Sequence, residues 1–423
     1  MAMKKYQLYI GVLISFFLNS ACDSFKDAEK VEDVAPLTVT LKTSIGLETV
    51  SSLDGLKVKF DNYTEDLHYV RTMKGKELEV DSIIPGIYSV TISGEVNDSE
   101  GNDYYMNGGI VNQPLYPGKS EINVSVSGLK ISPLIFKEIY FAGSSPSYFR
   151  DQFYELYNNS NKLLYLDGIY FADLCPTIAT TNLPVWPSED GHNYVYANRV
   201  WKFPGNGTTY PLAPGESCVI AQFAANHKLA IYNPNSPVDC SSADFEFNMN
   251  NKNYPDQPAY DMSHVFYNGK AAMGTVPQYL TSVMGGAYVI FQVPAGQTYD
   301  PVNNANLHTK NLASSSSTVY AKVPISYVLD AVEAGQNASM ISAKRIPQVL
   351  DAGMTYVGST YCGLDIARKR LVDDSGNIMS HDDGSIIFQD TNNSTDDFER
   401  GAVPVLRRYN TKMPSWNHTL QSK

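Results

Sequence analysis

The chain is poor in charge, and its basic residues are not clustered. Only 18% of its 423 residues are charged, and 44 acidic against 32 basic residues give a net charge of −12. The nearest approach to a basic cluster is the four-residue stretch "ARKR" at 367–370. Because phosphate contacts require clustered Lys and Arg, this composition argues against a nucleic-acid partner.

The patterns of common metal sites and hydrolases are also missing. The seven histidines never recur at HxH, HxxH or HxxxH spacing, and no GxSxG motif occurs. The cysteines beyond residue 22 form no CxxC pair or zinc pattern, so two disulfides and buried thiols are both compatible with Cys175, Cys218, Cys240 and Cys362. We expect no metal, no cofactor and no catalytic residue.

Helical periodicity is nearly absent. The best helical candidate is "PISYVLDAVEAG" at 324–335, where Ile325, Val328, Leu329 and Val332 fall on one helix face, although a strand also suits this segment. The chain is instead rich in Tyr (29 residues), Asn, Ser, Thr and Gly, with alternating apolar positions. This pattern predicts an all-β protein.

The N-terminus has the layout of a secretion signal. Lys4 and Lys5 precede an apolar run at 6–18, which is shorter than the roughly 20 residues that span a bilayer. Small residues at 20 and 21 then lead to Cys22. This order resembles a bacterial lipoprotein signal, which implies removal of residues 1–21 and lipidation of Cys22. The alternative is a plain secreted protein cut near residue 21.

The segment that follows, 22–35, is acidic and poor in apolar side chains. Such a composition cannot bury enough surface to fold, so it predicts a tether. An acidic stretch behind a lipidated cysteine resembles the export signal that sends lipoproteins of Bacteroidota to the outer leaflet of the outer membrane. A merely soluble linker is the alternative. We expect a lipid-anchored outer-membrane protein exposed at the cell surface.

Alternating strands predict a first domain at 36–130. A Pro85-Gly86 turn opens a strand in which Tyr88, Val90 and Ile92 alternate inward. This motif resembles carboxypeptidase-regulatory, transthyretin-like domains, which implies an N-terminal Ig/transthyretin-like β-sandwich. Such domains usually act as spacers.

A larger domain is predicted at 131–423. The stretches "LIFKEIYFAGS", "DQFYELYNNSNKLLYLDGIYFAD", "YPLAPGESCVIAQ" and "DTNNSTDDFERGAVPVL" occur in the order seen in lamin-tail domains. This resemblance implies a lamin-tail-like (Ig-like) β-sandwich, with long loop insertions between the matching stretches. The whole arrangement resembles an uncharacterised family of Bacteroidota surface lipoproteins, and that resemblance implies no reaction.

Two groups of acidic residues could have either a catalytic or metal-binding role or a purely structural one. Glu138 and Glu155 lie on strands expected to be neighbours and could act as acid and base, but we favour them as acceptors of loop backbone N–H groups. The loop 390–397, "DTNNSTDD", has the alternating oxygen ligands of a calcium loop, yet a loop that caps its own backbone is favoured.

The insertion at 183–207 is the predicted binding site. It concentrates four large aromatic side chains between Pro and Gly residues: Trp186, Tyr194, Tyr196 and Trp201. Exposed rings of this kind stack on sugars or grip peptide side chains, so we expect a glycan or peptide ligand. In the alternative, these rings pack against the sandwich as a satellite core.

Together these features predict a non-catalytic surface lipoprotein. It would bind an extracellular ligand or assist a TonB-dependent receptor in nutrient uptake. A structural or adhesive role and a hydrolase are the alternatives. The absence of tandem repeats favours capture over adhesion.

Overall fold

The computed structural model describes residues 34–47, 50–97, 103–178, 180, 182–271, 279, 281–373 and 375–421. They form an all-β structure, as the sequence predicts. The signal segment 1–21, Cys22 and the tether up to residue 33 lie outside the described residues. Within the described ranges, no helix has the length and apolar character needed to cross a membrane.

The strands fall into two groups along the chain. The first group is β1 (Leu37–Ile45), β2 (Lys57–Asn62), β3 (Leu67–Thr72), β4 (Glu77–Ile83), β5 (Gly86–Asn97), β6 (Asp103–Leu115) and β7 (Glu121–Lys130). The second group begins with β8 (Leu134–Tyr140), β9 (Phe153–Asn158), β10 (Leu164–Tyr165), β11 (Tyr170–Leu174), β12 (Tyr194–Lys202), β13 (Pro211–Leu212), β14 (Ser217–Ala221), β15 (Phe245–Glu246) and β16 (Tyr260–Asp261). It continues with β17 (Ser263–Tyr267), β18 (Ala287–Phe291), β19 (His308–Lys310), β20 (Val319–Pro324), β21 (Val328–Gly335), β22 (Thr355–Tyr356), β23 (Asp365–Arg368) and β24 (Phe398–Ala402).

The helices of the described residues are all short. The 3₁₀ turns are Ser188–Asp190, Ala305–Leu307, Ile325–Tyr327, Ala338–Ala343 and Arg408–Asn410. Two one-turn α-helices are α1 (Ser394–Asp397) and α2 (His418–Gln421).

The first group of strands forms one sheet that encloses its own core. Its order is β3-β2-β5-β6-β7-β1-β4, and only the β1–β7 pair is parallel. Tyr88, Val90 and Ile92 are fully buried, so the predicted inward alternation of β5 is confirmed. They share one cluster with Val58 of β2 and Val126 of β7, which shows that the sheet folds over itself.

The second group forms a sandwich of two sheets. One sheet has the order β19-β20-β12-β11-β18-β21-β22, with β17 also on β12, and the other has the order β16-β15-β14-β9-β8-β23-β24. Phe136, Ile220 and Ile366 from the second sheet share one buried cluster with Phe171 and Ile290 from the first. The main core therefore lies between the two sheets.

The outer faces of this sandwich are covered as well. Every residue of β8, β9, β11, β14 and β18 is buried. On β11, Phe171 belongs to the inner core, whereas Ala172 packs in a separate cluster with Ile346 and Leu350 of a long loop. The long insertions therefore act as outer layers of the sandwich.

The structure determines the conformation of the segment 324–335 and the state of the cysteines. The segment 324–335 is not a helix: β20 ends at Pro324, and after a single 3₁₀ turn the chain continues as β21. Strand β21 pairs with β18 and buries Ala331 and Val332 in two different clusters, so sheet pairing overrides the helical pattern. All four cysteines beyond residue 22 are free thiols.

The two sandwiches touch through the loop 390–397. Lys59 of β2 forms an ion pair with Asp396. The Asn107 side chain of β6 donates its amide N–H to the carbonyl oxygen of Asn392 at 2.9 Å. The loop 390–397, predicted to cap its own backbone, is therefore part of the junction between the sandwiches.

Candidate functional site

A cleft of about 700 Å³ opens beside the start of β12. One wall comes from the insertion predicted to bind, and the other comes from the loop at 344–348. Its lining residues are Val111, Leu183, Trp186, Pro187, Ser188, Gly191, His192, Tyr194, Val195, Tyr196, Lys344, Arg345, Ile346, Pro347 and Gln348. Three of the four aromatic residues singled out in the sequence thus meet in one concave site.

Alternation along β12 places the tyrosines of this cleft. Val195 and Ala197 are buried in the outer cluster of the sandwich, and the half-buried Tyr194 and Tyr196 point the other way. The Trp186 ring lies flat on Tyr196, with centroids 4.0 Å apart and planes 10° apart. Its edge meets Tyr320 at 5.4 Å, so the loop that carries Trp186 is fixed by ring contacts.

The Asp190 carboxylate bonds to residues of the same wall. The Tyr196 hydroxyl donates to its carboxylate at 2.9 Å, and Lys322 of β20 forms an ion pair with it. The Lys322 ammonium lies 4.3 Å from the Tyr194 ring centroid. Because Asp190 is buried, this bonded set restrains both tyrosines before any ligand arrives.

The opposite wall is pinned by Glu333. Its carboxylate accepts the backbone N–H groups of Arg345 at 2.9 Å and Ile346 at 2.8 Å, and the Arg345 Nε at 2.8 Å. Burial alone would raise the pKa of Glu333, but Lys344 and Arg345 hold it below its ordinary value. The wall is therefore rigid, and its two cations are neutralised by Glu333 and Asp351.

The first sandwich contributes to this cleft as well. Val111 of β6 lines it, and the neighbouring Gly109 packs closely against Gln348. A Cβ added at Gly109 would lie 3.0 Å from the Gln348 side chain and 2.5 Å from the Val90 carbonyl oxygen. The first domain thus contacts the residues that form this cleft.

Trp201, the fourth predicted aromatic residue, is not part of the cleft. It is 0% exposed in the main core, where its ring contacts Phe247 at 5.0 Å and Tyr279 at 5.7 Å. Trp201 lies on the face of β12 that packs against the opposite sheet, whereas Trp186 lies on the loop before β12. The position of Trp201 agrees better with the alternative prediction, in which these rings pack as a core, than with an exposed binding surface.

Glu138 and Glu155 accept loop N–H groups, as favoured from the sequence. Glu138 accepts the Val405 N–H at 2.7 Å and Glu155 accepts the Arg407 N–H at 3.0 Å. Arg408 and Lys137 neutralise them, and both carboxylates are 0% exposed. They fasten the C-terminal segment to the sheet.

The oxygen atoms of the loop 390–397 do not converge. Asp390 bonds Arg368, the Ser394 hydroxyl donates to Asp351, and Asp396 pairs with Lys59. The Asn393 side chain caps α1. Another acidic group, Glu246, Asp256 and Asp261, brings its oxygens within 4.8 Å of one another, and the Asn248 amide donates to Asp256.

Comparison with known proteins places the chain in a family. The family described as "Protein of unknown function (DUF4876)" matches residues 213–405. The crystal structure of a DUF4876 family protein from Bacteroides thetaiotaomicron is 63% identical, with a TM-score of 0.69, and the match covers 91% of this chain and 100% of that one. The chain belongs to the DUF4876 family. No curated protein matches this DUF4876 protein.

Sequence reasoning missed the wall at 344–348 and its anchor Glu333. The Lys344-Arg345 pair carries no recognisable motif, and Glu333 stands in a segment that suited a helix as well as a strand. As part of a strand, Glu333 lies within hydrogen-bond distance of residues 344–346.

Proposed function

We propose that this DUF4876 protein is a non-catalytic, lipid-anchored protein of the outer-membrane surface that captures an extracellular ligand in the cleft of Trp186, Tyr194 and Tyr196. The observation that carries this proposal is the preformed cleft of about 700 Å³, within the range of small-ligand sites. Its two walls are held by intramolecular hydrogen bonds to Asp190 and Glu333, which lowers the ordering cost of binding.

The chemistry of the walls favours a neutral ligand with a flat or apolar face. The cleft cations are already paired, whereas Tyr194, Tyr196 and Trp186 supply aromatic surface. The exposed Ser188 and His192 add hydrogen-bonding groups at the rim. Aromatic surface beside a few polar groups suits the face of a sugar ring or an apolar peptide side chain.

A protein partner is the second candidate. Leu183 and Val185 stand beside the cleft with 40% and 52% of their surface exposed. Apolar side chains around an aromatic cleft suit contact with another protein, here a TonB-dependent receptor. The same residues would serve an adhesive role, which is the remaining non-catalytic alternative.

The deciding experiment screens the purified protein on glycan and peptide arrays and, in parallel, cross-links it on intact cells. Capture predicts array hits that Trp186→Ala weakens and Tyr165→Ala leaves unchanged, because Tyr165 is an exposed ring outside the cleft. Cross-linking to an outer-membrane receptor without array hits would make it a transport accessory. If neither assay is positive and cells lacking the protein lose attachment, the adhesive role replaces the proposal.

A further inference from the structure

The inner face of the β11–β12–β17 region carries a row of polar side chains inside the sandwich. Strand pairing places Asp173, Arg199 and Tyr267 side by side, and the next row is Phe171, Trp201 and His264. Asp173, Arg199 and Trp201 are all more than nine-tenths buried. None of these residues lines the cleft.

Arg199 is a buried cation that makes no direct ion pair with a described carboxylate, although the charge of Asp173 on the next strand acts on it. Its guanidinium carbon lies 4.4 Å from the Tyr267 ring centroid and 5.4 Å from that of Tyr279. Within the described chain, its Nε and Nη1 are sealed from solvent and donate to no acceptor. Each of the other buried arginines described above has a carboxylate oxygen within 2.9 Å of a guanidinium nitrogen. Arg368, for example, contacts Asp330 and Asp390 in this way.

The neighbours of Arg199 have unused polar atoms too. Across the described residues, the Trp201 Nε1 and the Asp173 Oδ1 have no hydrogen-bond partner, and the Tyr279 hydroxyl lies beside that of Tyr154. Tyr279 connects this group, since its ring contacts both Trp201 and Arg199. Buried polar groups are nearly always bonded in native proteins, so the unpaired N–H groups of Arg199 and Trp201 indicate a bound species that supplies their acceptors.

The donors identify the charge of that species. Two guanidinium N–H groups and an indole N–H lack an acceptor, and an anion is the acceptor that forms the strongest hydrogen bonds with a guanidinium. Asp173, on the neighbouring strand, makes no ion pair with the guanidinium, and its Oδ2 accepts the Asn198 amide at 3.2 Å. Burial raises the pKa of Asp173 to about 6, although the charge of Arg199 opposes this shift.

We propose that Arg199, Trp201 and Tyr279 form a binding site for a small anion, bound through an oxygen of a carboxylate or an inorganic oxyanion. Arg199 keeps 5% and Asp173 6% of its surface exposed, so the site reaches the protein surface at this pair. The inference is independent of the proposed ligand cleft.

Crystals of the full chain soaked in sodium bromide provide the direct test. We expect an anomalous bromide peak within about 3.5 Å of the Arg199 Nε or Nη1, or of the Trp201 Nε1. Ordered water alone at these atoms, or bromide only at exposed lysines as an adventitious ion, would overturn the proposal.

Thermal unfolding in sodium acetate and sodium phosphate at constant ionic strength identifies the anion. Stabilisation by acetate indicates a carboxylate ligand, and stabilisation by phosphate indicates an oxyanion. We expect Arg199→Met to weaken the apparent affinity for the stabilising anion at least tenfold. Arg199→Lys keeps the charge and serves if Arg199→Met fails to fold, and we expect it to weaken this affinity several-fold. Arg150→Met is the matched control, because Arg150 also covers a tyrosine ring, that of Tyr254 at 4.6 Å. Equal responses of Arg199→Met and Arg150→Met would contradict the site.

Discussion

Arg368 is the residue whose removal should damage the larger sandwich most specifically. Its fully buried guanidinium donates to Asp330 at 2.7 Å, to Asp390 at 2.9 Å and to the Phe136 carbonyl oxygen at 2.6 Å. Asp397 lies 3.6 Å away. Arg368 thus joins three strands and the 390–397 loop, and three carboxylates share its single positive charge.

The size of the effect follows from those carboxylates. Burial raises the pKa of Asp330 and of Asp397 to about 7, even though Arg368 opposes the shift. At pH 8, Arg368→Met leaves buried carboxylates unpaired and should cost about 3–5 kcal/mol. At pH 5 both groups hold protons, so the loss should fall to about 1–3 kcal/mol, the value of the broken hydrogen bonds.

Differential scanning calorimetry at the two pH values measures this difference. We expect Tm to fall by about 6–20 °C at pH 8 and by clearly less at pH 5. Arg400→Met is the control, since Arg400 is exposed and bonds only the Tyr356 hydroxyl and a carbonyl oxygen. A loss below about 1 kcal/mol at pH 8, or the same loss at both pH values, would refute this reasoning.

Three further predictions concern single residues. Trp201→Ala removes a fully buried ring and should lower Tm by about 6–20 °C in calorimetry; a change under about 2 °C would place Trp201 outside the core. Asp365→Asn should stabilise the protein at pH 8 relative to pH 5 in urea unfolding. Burial and Glu138 raise the folded-state pKa of Asp365. Its contribution to the free energy of unfolding is therefore full below its unfolded pKa of about 3.9 and is lost as pH rises through the folded pKa. An equal effect of Asp365→Asn at both pH values would contradict this prediction. Cys22→Ser should move the protein from the detergent to the aqueous phase with unchanged Tm, and retention in detergent would exclude the lipid anchor.

Alternation and turn chemistry made much of the fold predictable. The inward positions of β5 follow directly from Tyr88, Val90 and Ile92 after the Pro85-Gly86 turn, because a strand with one buried face must alternate. Glu138 and Glu155 could be assigned as structural acceptors because a buried carboxylate needs donors, and a nearby loop supplies them.

Contacts between distant segments were not predictable. Trp186 and Trp201 are 15 residues apart in one aromatic insertion, yet one lines a cleft and the other fills the core. Trp186 lies on the loop before β12 and Trp201 lies on β12 itself, and no local sequence pattern distinguishes the two positions. The segment 324–335 likewise has helical spacing, and its pairing with β18 and β22 makes part of it a strand.

The central claim is that the cleft binds a ligand through its aromatic wall. Its most direct test is isothermal titration of the strongest array ligand into the wild-type protein and into Tyr194→Ala, Trp186→Ala and Tyr165→Ala. We expect the two cleft variants to lose about 1–3 kcal/mol of binding free energy while Tyr165→Ala binds normally. Unchanged affinity in both cleft variants, with Tm values showing that they are folded, would contradict the account.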